Sequence, residues 1–510
     1  MRKIVFLISL VPFLANAQLV QPHRFESEMS FYDDGYEVMT GGEQGLILYR
    51  SVNDYNRKGG QKWEFIMLDT ALEVTWKKDL YIEKDLIYKG YDYSLGNFYF
   101  LFQQYGTNSK DLKLMQMRAN SGDTLRYTIK NLVPLELTEF EVTDGAALLG
   151  GYYNNEPVVI HFDFSENKTK VLPGIFGTKT ELVQLKVDDN SITVLVSSKT
   201  YDKRNTLTIK KYNTYGEYLS TFTFNPDQDK GLIFGRITDI EDENELVVGT
   251  YGGKRSEYSR GLFLGLVDDE NRQSIEYFNY ADFENFFNYM KAKRKQRVSN
   301  RIDRKRIKGK KVKFNYRLLV HEVVKQGDTY VLLGEAFYPK YSTTSTFSNY
   351  SPYASGGFGY GNGYGNNEYT PSNFAGYRYT HAVVAGFDAK GRMLWDNSFE
   401  IEDVVSYSLD QFVHASLTDE GIVLLYLYDN EIRSKLIEGA EVIEGKQFDD
   451  LKLTFEDDVV NKNYSNKIGG LEKWYGNTFV AFGIQRIKNL KDAGVDLNRK
   501  VFYVNKVQYH

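Results

Sequence analysis

The amino-acid sequence predicts an all-β fold, an eight-bladed β-propeller, with seven blades as the alternative. Three observations predict it: a composition rich in Tyr, Phe and Gly, a strand–turn–strand pattern that recurs about every fifty residues, and an N-terminal segment that can complete the last repeat. Aromatic residues are 15% of the chain, and Tyr, Phe, Val and Thr favour strands. Four-stranded repeats of this length are typical of propeller blades.

The N-terminal segment, MRKIVFLISLVPFLANA, predicts a secretory signal peptide over residues 1–17. Arg2 and Lys3 precede a short apolar run, and a small-residue cleavage site ends at Ala17. No later segment is apolar for long enough to form a transmembrane helix. We therefore expect an exported protein without a transmembrane segment, periplasmic or associated with the outer membrane, with an extracellular location as the alternative.

A β-hairpin recurs along the chain. FIMLDTALEVTWKKDL and AVVAGFDAKGRMLWDNSFEI each show an apolar strand, a polar turn and a second alternating strand. Asp, Asn and Gly favour such turns because they tolerate the backbone angles required. The turns fall at Leu72, Gly122, Asn167, Gly216, Asn271, Gly391 and, less clearly, Gly445, with spacings of 50, 45, 49, 55, 120 and 54 residues.

The interval of 120 residues contains two segments of unusual composition, which together hold 72 residues. Without them the interval is 48 residues, the length of an ordinary repeat, so both are predicted insertions. The predicted organisation is a signal peptide (1–17), the closing strand with blades 1–5 (18–279), a basic helical insertion (280–313), and blades 6–8 (314–510) containing a low-complexity loop (341–378).

The two ends of the chain are expected to share a blade. Two strand-like runs precede each hairpin, whereas the last repeat shows only three strands. In RFESEMSFY, the apolar residues Phe25, Met29 and Phe31 alternate with polar ones, as in a half-buried strand. Pairing this segment with the last repeat would remove an exposed sheet edge and gives the eighth blade. A β-sandwich or an open solenoid is the alternative architecture.

The chain resembles bacterial β-propeller repeat proteins. YVLLGEAFYP followed by YRYTHAVVAGFDAKGRMLWDNSFEI, in blade 6, is similar to an uncharacterised secreted propeller family of Bacteroidota. The resemblance covers most of the chain. It implies a propeller fold and export, and it carries no catalytic residue.

Positive charge is concentrated in KAKRKQRVSNRIDRKRIKGKKVK, residues 291–313. This stretch has thirteen Lys or Arg and one acid, Asp303, so its net charge is +12 in a chain of net charge −5. Upstream, Phe283, Phe286 and Met290 recur at helical spacing after Asp282, a candidate N-cap. The pattern predicts a helix of about 25 residues that ends near Gly309.

An anionic partner is the functional interpretation of this helix. Like charges on one helix repel, and a partner that neutralises them removes that cost. Acidic protein, lipid headgroups and lipopolysaccharide phosphates suit an envelope location, whereas nucleic acid suits the charge but not the compartment. A solvated helix lying across the chain's own acidic surface is the alternative. The candidate partner-binding residues are Lys293, Arg294, Arg297, Arg301, Arg304, Lys305 and Lys308.

The low-complexity loop, YSTTSTFSNYSPYASGGFGYGNGYGNNEYTPSNFAGYR, is dominated by Gly, Ser, Asn and Tyr. This composition is typical of adaptable binding loops, in which flat aromatic rings supply contact area. Tyr360, Tyr364 and Tyr369 are the candidates for stacking on a sugar ring or a protein groove. A surface loop without a function is the alternative.

No catalytic, metal-binding or cofactor-binding motif occurs in the sequence. The six His residues form no HExxH pair, the chain has no Cys, and Asp pairs such as Asp457-Asp458 fall in predicted turns. We expect no cofactor, and a non-enzymatic exported scaffold or binding propeller that docks to an outer-membrane-associated complex through the basic helix and the Gly/Tyr loop. The alternatives are an extracellular glycan- or peptide-binding propeller and a propeller hydrolase, which would need acids from several blades to converge on the axis.

Overall fold

The computed structural model shows eight antiparallel sheets in chain order, and strands make up 64% of the structure. It describes residues 19–30, 32–105, 111–131, 133–188, 191–239, 245–267, 272–341, 374–461, 469–492 and 494–509. The eight sheets are the eight blades that the sequence predicts, so the seven-bladed alternative is wrong.

The first half of the ring contains four blades of four strands each. Two short strands come first, β1 (Leu19–Val20) and β2 (Arg24–Glu28). Blade 1 contains β3 (Glu37–Thr40), β4 (Leu46–Tyr55), β5 (Gly60–Leu68) and β6 (Val74–Glu83). Blade 2 contains β7 (Leu86–Ser94), β8 (Asn97–Gln104), β9 (Leu112–Arg118) and β10 (Thr124–Ile129). Blade 3 contains β11 (Glu136–Val142), β12 (Ala146–Tyr153), β13 (Glu156–Asp163) and β14 (Lys168–Val171). Blade 4 contains β15 (Thr180–Val187), β16 (Ser191–Lys199), β17 (Asn205–Asn213) and β18 (Tyr218–Phe224).

The second half contains the helix and four more blades. Blade 5 contains β19 (Lys230–Asp239), β20 (Glu245–Gly253), β21 (Ser259–Val267) and β22 (Gln273–Asn279). The helix α1 (Ala292–Ile307) follows. Blade 6 contains β23 (Arg317–Gln326), β24 (Thr329–Tyr341), β25 (Phe374–Asp388), β26 (Met393–Glu400) and the short β27 (Val405–Ser406). Blade 7 contains β28 (His414–Thr418), β29 (Gly421–Tyr428), β30 (Glu431–Glu438) and β31 (Glu441–Asp450). Blade 8 contains β32 (Asp458–Val460), β33 (Gly470–Tyr475), β34 (Thr478–Asn489) and β35 (Asn498–Tyr509).

The blades form a closed ring. First strands of successive blades contact one another, as β3 contacts β7, β11 contacts β15 and β19 contacts β23, so the first strands surround the axis. The ring is completed by contacts between β33 and β3. β1 and β2 both pair with β35, in a register that places Phe25 opposite Val504 and Leu19 opposite Tyr509. The N-terminal strands therefore form the outer edge of blade 8, as predicted.

The core lies between neighbouring sheets, and the second strand of a blade supplies much of it. β12 and β29, with the sequences AALLGGYY and GIVLLYLY, are buried along most of their length because another sheet covers each face. Between blades 3 and 4, for example, Leu148 and Val159 pack with Leu185 and Val194. The continuous apolar runs of these strands thus follow from burial on both faces.

The hairpin turns confirm the repeat pattern, with one correction. The backbone has a positive φ at five predicted turn positions, including Leu72 at 60° and Asn167 at 52°. The turn predicted near Gly445 is wrong, because β31 continues through that residue. The chain instead turns at Gly439, where φ is 58°. Asn271 lies outside the described residues.

The helix is shorter than predicted. Residues 280–291, here called the anchor segment, form a 3-10 turn and irregular turns, and α1 has 16 residues rather than about 25. Asp282 is therefore not its N-cap. Backbone N–H groups of Glu284 and Asn285 donate to the Asp396 carboxylate, both at 2.8 Å, so they are paired outside any helix. Within the described part of the chain, no helix is long and apolar enough to cross a membrane.

Candidate docking surface and central channel

The two insertions meet the propeller at the same end of the ring. Strand direction alternates within a blade, so the connection into a first strand and the connection from second to third strand share one end. The basic insertion joins β22 to β23, and the Gly/Tyr loop joins β24 to β25. Both therefore emerge on one face, beside blade 6.

The anchor segment holds the basic insertion by aromatic packing. The Phe286 side chain is fully buried and stacks on Tyr280, with ring centroids 4.4 Å apart. Tyr289 stacks on His381 of β25 at 3.7 Å. Burial lowers the pKa of His381 to about 3, so the ring is neutral at physiological pH and packs as an aromatic group. The start of the insertion is thus fixed to blade 6.

One face of α1 rests on the propeller. Ile302 is buried, and Val298 packs against the core shared by blades 4, 5 and 6. On the same side, Arg306 forms an ion pair with Asp282 at 2.7 Å. The helix ends as predicted at Gly309, where φ is 60°. α1 is therefore docked on the propeller.

The predicted partner-binding cations remain open to solvent. Six of the seven are exposed and Lys305 is half-buried. None of the seven forms an ion pair with a described residue, whereas Arg306 and Lys311 pair with Asp282 and Asp229. The helix thus rests on its own propeller through an apolar stripe while most of its charge stays uncompensated.

Four arginines of this set form a row along one side of α1. With 3.6 residues per turn, they fall within an arc of about 80°, centred about 100° from the direction of Ile302 and Val298. The return segment, residues 308–316, runs back beside this row, because the Arg301 guanidinium lies 5.8 Å from the Phe314 ring centroid and the Lys310 N–H donates to the Lys305 carbonyl at 2.9 Å. The arginine row consists of Arg294, Arg297, Arg301 and Arg304.

The predicted tyrosines of the Gly/Tyr loop, Tyr360, Tyr364 and Tyr369, lie outside the described residues. The stems of the loop carry an aromatic cluster of their own. The Phe374 ring lies 6.0 Å from Tyr341, 5.0 Å from Tyr377 and 6.2 Å from Tyr407. Tyr341 and Tyr407 are nearly half exposed, at 49% and 44%. Tyr407 comes from the connection after blade 6, so sequence spacing alone did not associate it with the loop.

Acidic side chains from four blades lie around the axis. They are half-buried residues of first strands, and each interacts electrostatically with another blade: Glu472 with Glu37, Glu141 with Asp92, and Glu139 with Arg236. A propeller surrounds a central channel, and half-exposed residues on its innermost strands line that channel. These five axial acids are Glu37, Asp92, Glu139, Glu141 and Glu472.

The environment of three axial acids, Glu139, Glu141 and Glu472, favours their protonated forms. Burial raises the pKa of Glu472 to about 8, and repulsion from Glu37 adds to the shift. Burial raises the pKa of Glu139 to about 7, while attraction to Arg236 opposes it. Burial, together with repulsion from Asp92 and Glu139, holds the pKa of Glu141 well above its usual value. The channel therefore holds carboxyl groups that are partly protonated at neutral pH.

Some polar groups of the channel have a structural role. The first strand of a blade has a free inner edge, and side chains of the preceding blade accept hydrogen bonds from backbone N–H groups of that strand. Asp92 accepts from the Val142 N–H at 2.6 Å, and Gln184 accepts from the Ile237 N–H at 2.9 Å. Among the described residues, no group donates a hydrogen bond to the carboxylates of Glu139, Glu141 or Glu472.

The axial acids are the residues that the sequence analysis missed. In ELTEFEV, Glu139 and Glu141 alternate with buried Phe140 and Val142, which is also the pattern of an ordinary half-buried strand. The distinguishing signal is position, because a polar face on the first strand of a propeller repeat points to the channel rather than to bulk solvent. In the described residues, no group of three or more His, Asp or Glu side chains is placed to hold a metal ion.

Comparison with known proteins adds information on fold alone. No protein-family model and no curated protein sequence matches the chain. Among solved structures, the β-propeller domain of the Trilobed protease from Pyrococcus furiosus is similar over 83% of this chain and 95% of that chain, with 8% identity and a TM-score of 0.37. The polysaccharide lyase Uly1 is similar over 96% and 99%, with 8% identity and a TM-score of 0.40. The WD40 domain of Toxoplasma gondii coronin is similar over 85% and 88%, with 8% identity and a TM-score of 0.34. The chain is a β-propeller repeat protein, as its own sheet order shows.

Proposed function

We propose that the protein is a non-enzymatic, exported scaffold or binding propeller of the cell envelope, which docks through α1 to an anionic surface of an outer-membrane-associated complex. The observation that carries this proposal is a set of seven uncompensated cations on a helix whose other face is fixed to the ring. Export is inferred from residues 1–17, and membership of a secreted Bacteroidota propeller family from the sequence of blade 6.

The way in which the charge is presented supports docking. Like charges at i,i+3 and i,i+4 weaken a helix by about 0.2–0.5 kcal/mol per pair, and an anionic partner reverses this repulsion. The anchor segment already holds the helix in place, so little conformational entropy is lost on binding. Concentrated charge also accelerates encounter with a partner of opposite sign. The stems of the Gly/Tyr loop emerge on the same face, where aromatic rings can extend the contact.

Charge reversal in the arginine row tests this function. Replacing all four arginines by Glu is expected to abolish co-purification of the partner from native membranes, since the local net charge falls by eight. The wild-type chain should retain that partner at a constant stoichiometry. A matched control replaces four exposed arginines on other blades by Glu, namely Arg57, Arg118, Arg126 and Arg255. Equal retention of the partner by the row variant and the control would contradict the proposal.

A second candidate function is hydrolysis of a glycan in the central channel. It is favoured by the convergence of acids from several blades, because glycoside hydrolysis needs a carboxyl group that stays protonated near neutral pH beside a second carboxylate. Glu139 and Glu141, two residues apart on β11, are the candidate pair, and burial raises the pKa of both. Repulsion between the two carboxylates favours the state in which only one of them is ionised.

Turnover on a panel of bacterial and plant glycans tests this second function. Release of reducing sugar by the wild type, lost in the variant Glu139→Gln/Glu141→Gln, would support it. The absence of turnover across the panel would exclude hydrolysis of those glycans and leave the scaffold function as the better account.

A further inference from the structure

We infer that the partner presents a row of carboxylates on a protein segment that lies lengthwise beside α1, and that the arginine row binds these carboxylates in pairs of hydrogen bonds. The inference rests on the proposed docking function and specifies the partner's chemistry. It commits to an acidic protein segment over a phosphate-bearing lipid surface.

The arginine row faces sideways rather than straight out from the propeller. The face opposite to Ile302 and Val298 points away from the ring, and the row lies between this outward face and the return segment. On the side of α1 opposite to the arginine row, cations occur only where the helix contacts the rest of the chain. That side carries Ala292, Gln296, Ser299 and Asp303.

A sideways row fits a narrow partner better than a flat one. A bilayer approaching α1 from outside would first meet its outermost face. Two cations, Lys293 and Arg304, lie there among Gln296, Asn300 and the strongly exposed Ile307, while the other three arginines of the row lie to one side. A single helix or extended strand can lie alongside the helix and reach the whole row, which is about 15 Å long from Arg294 to Arg304 at 1.5 Å per residue. The 3-4-3 spacing of the row matches carboxylates that recur at 3-4-3 along one face of a partner helix.

The type of cation also favours carboxylates. Every position of α1 that falls within the arc of the row is Arg, although Lys outnumbers Arg in residues 291–313, and Lys308 continues the spacing just beyond the helix. The planar guanidinium binds a carboxylate through two parallel hydrogen bonds, whereas the ammonium group of Lys acts as a point charge. Attraction to an anionic membrane depends on charge and would be served equally by Lys. Arg is moreover enriched and Lys depleted in protein–protein interfaces.

Replacing the four arginines of the row by lysine distinguishes binding through paired hydrogen bonds from binding through charge alone. The variant R294K/R297K/R301K/R304K keeps the charge and removes the paired hydrogen bonds. The probes are an Ala-based helical peptide with four Glu at 3-4-3 spacing, a peptide of the same composition with its four Glu adjacent, and vesicles of phosphatidylcholine with phosphatidylglycerol. Binding is measured by fluorescence anisotropy for the peptides and by co-sedimentation for the vesicles. A matched control carries the conservative changes R57K/R118K/R126K/R255K on other blades.

The expected result is that the spaced peptide binds wild type and control alike, and binds the row variant at least about tenfold more weakly. The adjacent-Glu peptide should bind wild type more weakly than the spaced one. Equal affinity of wild type and row variant for the spaced peptide would overturn the inference, as would capture of both by the vesicles with no binding of the peptide. If the native partner is lost on reversal to Glu but retained on replacement by Lys, docking stands and this inference fails. If reversal to Glu leaves the native partner bound, docking itself fails.

Discussion

Replacing Asp458 by Ala is expected to lower the free energy of unfolding by about 3–5 kcal/mol, because it leaves Arg499 as a buried charge without its main partner. The Asp458 side chain is fully buried and that of Arg499 is 5% exposed. Chemical denaturation followed by tryptophan fluorescence measures the change. This is one of the two largest effects that we expect from a single substitution.

The effect is large because the pair is buried where the two ends of the chain meet. Arg499, on β35, donates to Asp458 of β32 at 2.9 Å and lies 3.5 Å from Glu26 of the N-terminal strand β2. Burial would raise the pKa of Asp458, but hydrogen bonds from Arg499 and Asn489 lower it below its usual value. The ionised pair is thus built into the seam that closes the ring, where β2 forms the outer edge of blade 8.

The adjacent acid provides the control. Asp457 pairs with Lys491 at 2.6 Å, but the lysine side chain is 74% exposed, and surface pairs of this kind contribute about 0–1 kcal/mol. Asp457→Ala is therefore expected to be nearly neutral. A loss for Asp458→Ala no larger than that for Asp457→Ala would show that this buried pair does not hold the seam.

The propeller could be predicted because its signals are local and repeated. A turn needs Gly, Asn or Asp at a fixed place between two alternating strands, so each hairpin is visible in a few residues and recurs from blade to blade. The short N-terminal strand could be paired with the last blade because Phe25 and Met29 alternate with polar residues. The turn predicted near Gly445 shows where such local signals fail. Local propensity places a turn at this glycine, but β31 continues through it and the chain turns at Gly439 instead.

The functional sites could be predicted only in part, because residues that are far apart in the sequence contribute to them. The cations of α1 are contiguous in sequence and their concentration is evident without a fold. The length of the helix was overestimated because Asp396, more than a hundred residues away, binds the backbone of the anchor segment. The axial acids are separated by up to several hundred residues, and only the closed ring brings Glu472 to Glu37. The pairing of Asp458 with Arg499 could not be predicted either, because Asp457 and Asp458 together have the composition of an ordinary turn.

The wild-type protein is expected to be less stable at pH 8 than at pH 5.5, because four of the axial acids, Asp92, Glu139, Glu141 and Glu472, bind protons more tightly in the folded chain. The pKa of Glu472 is raised to about 8 by burial and by repulsion from Glu37, and those of Glu139 and Asp92 are raised to about 7, chiefly by burial. In the unfolded chain these groups have lost their protons by pH 5.5. Between the two pH values the folded state binds more protons, so its stability falls as pH rises. Thermal melts at the two pH values measure the difference.

The buried histidines set the acid limit with the opposite sign. Burial lowers the pKa of His381 to about 3 and that of His414 to about 4, and repulsion from His321 also contributes for His414. Below about pH 6.5 the unfolded chain binds protons that the folded chain does not, so this part of the stability is lost as pH falls from 6.5 towards 3–4. The axial acids and the histidines together place the stability maximum at mildly acidic pH.

Replacing one axial acid tests the source of the stability that is lost between pH 5.5 and pH 8. Glu472→Gln removes a group that ionises late in the folded chain and early in the unfolded one, so the variant should gain about 1–3 kcal/mol over wild type at pH 8 and much less at pH 5.5. The full shift of the pKa from 4.5 to about 8 would correspond to about 4 kcal/mol at pH 8, and access of water to the channel reduces it. Glu43→Gln, on the exposed turn between β3 and β4, should leave the difference between the two pH values unchanged. If Glu472→Gln gives no larger gain at pH 8 than at pH 5.5, Glu472 ionises as readily in the folded chain as in the unfolded one, and the converging acids are not the source of the alkaline instability.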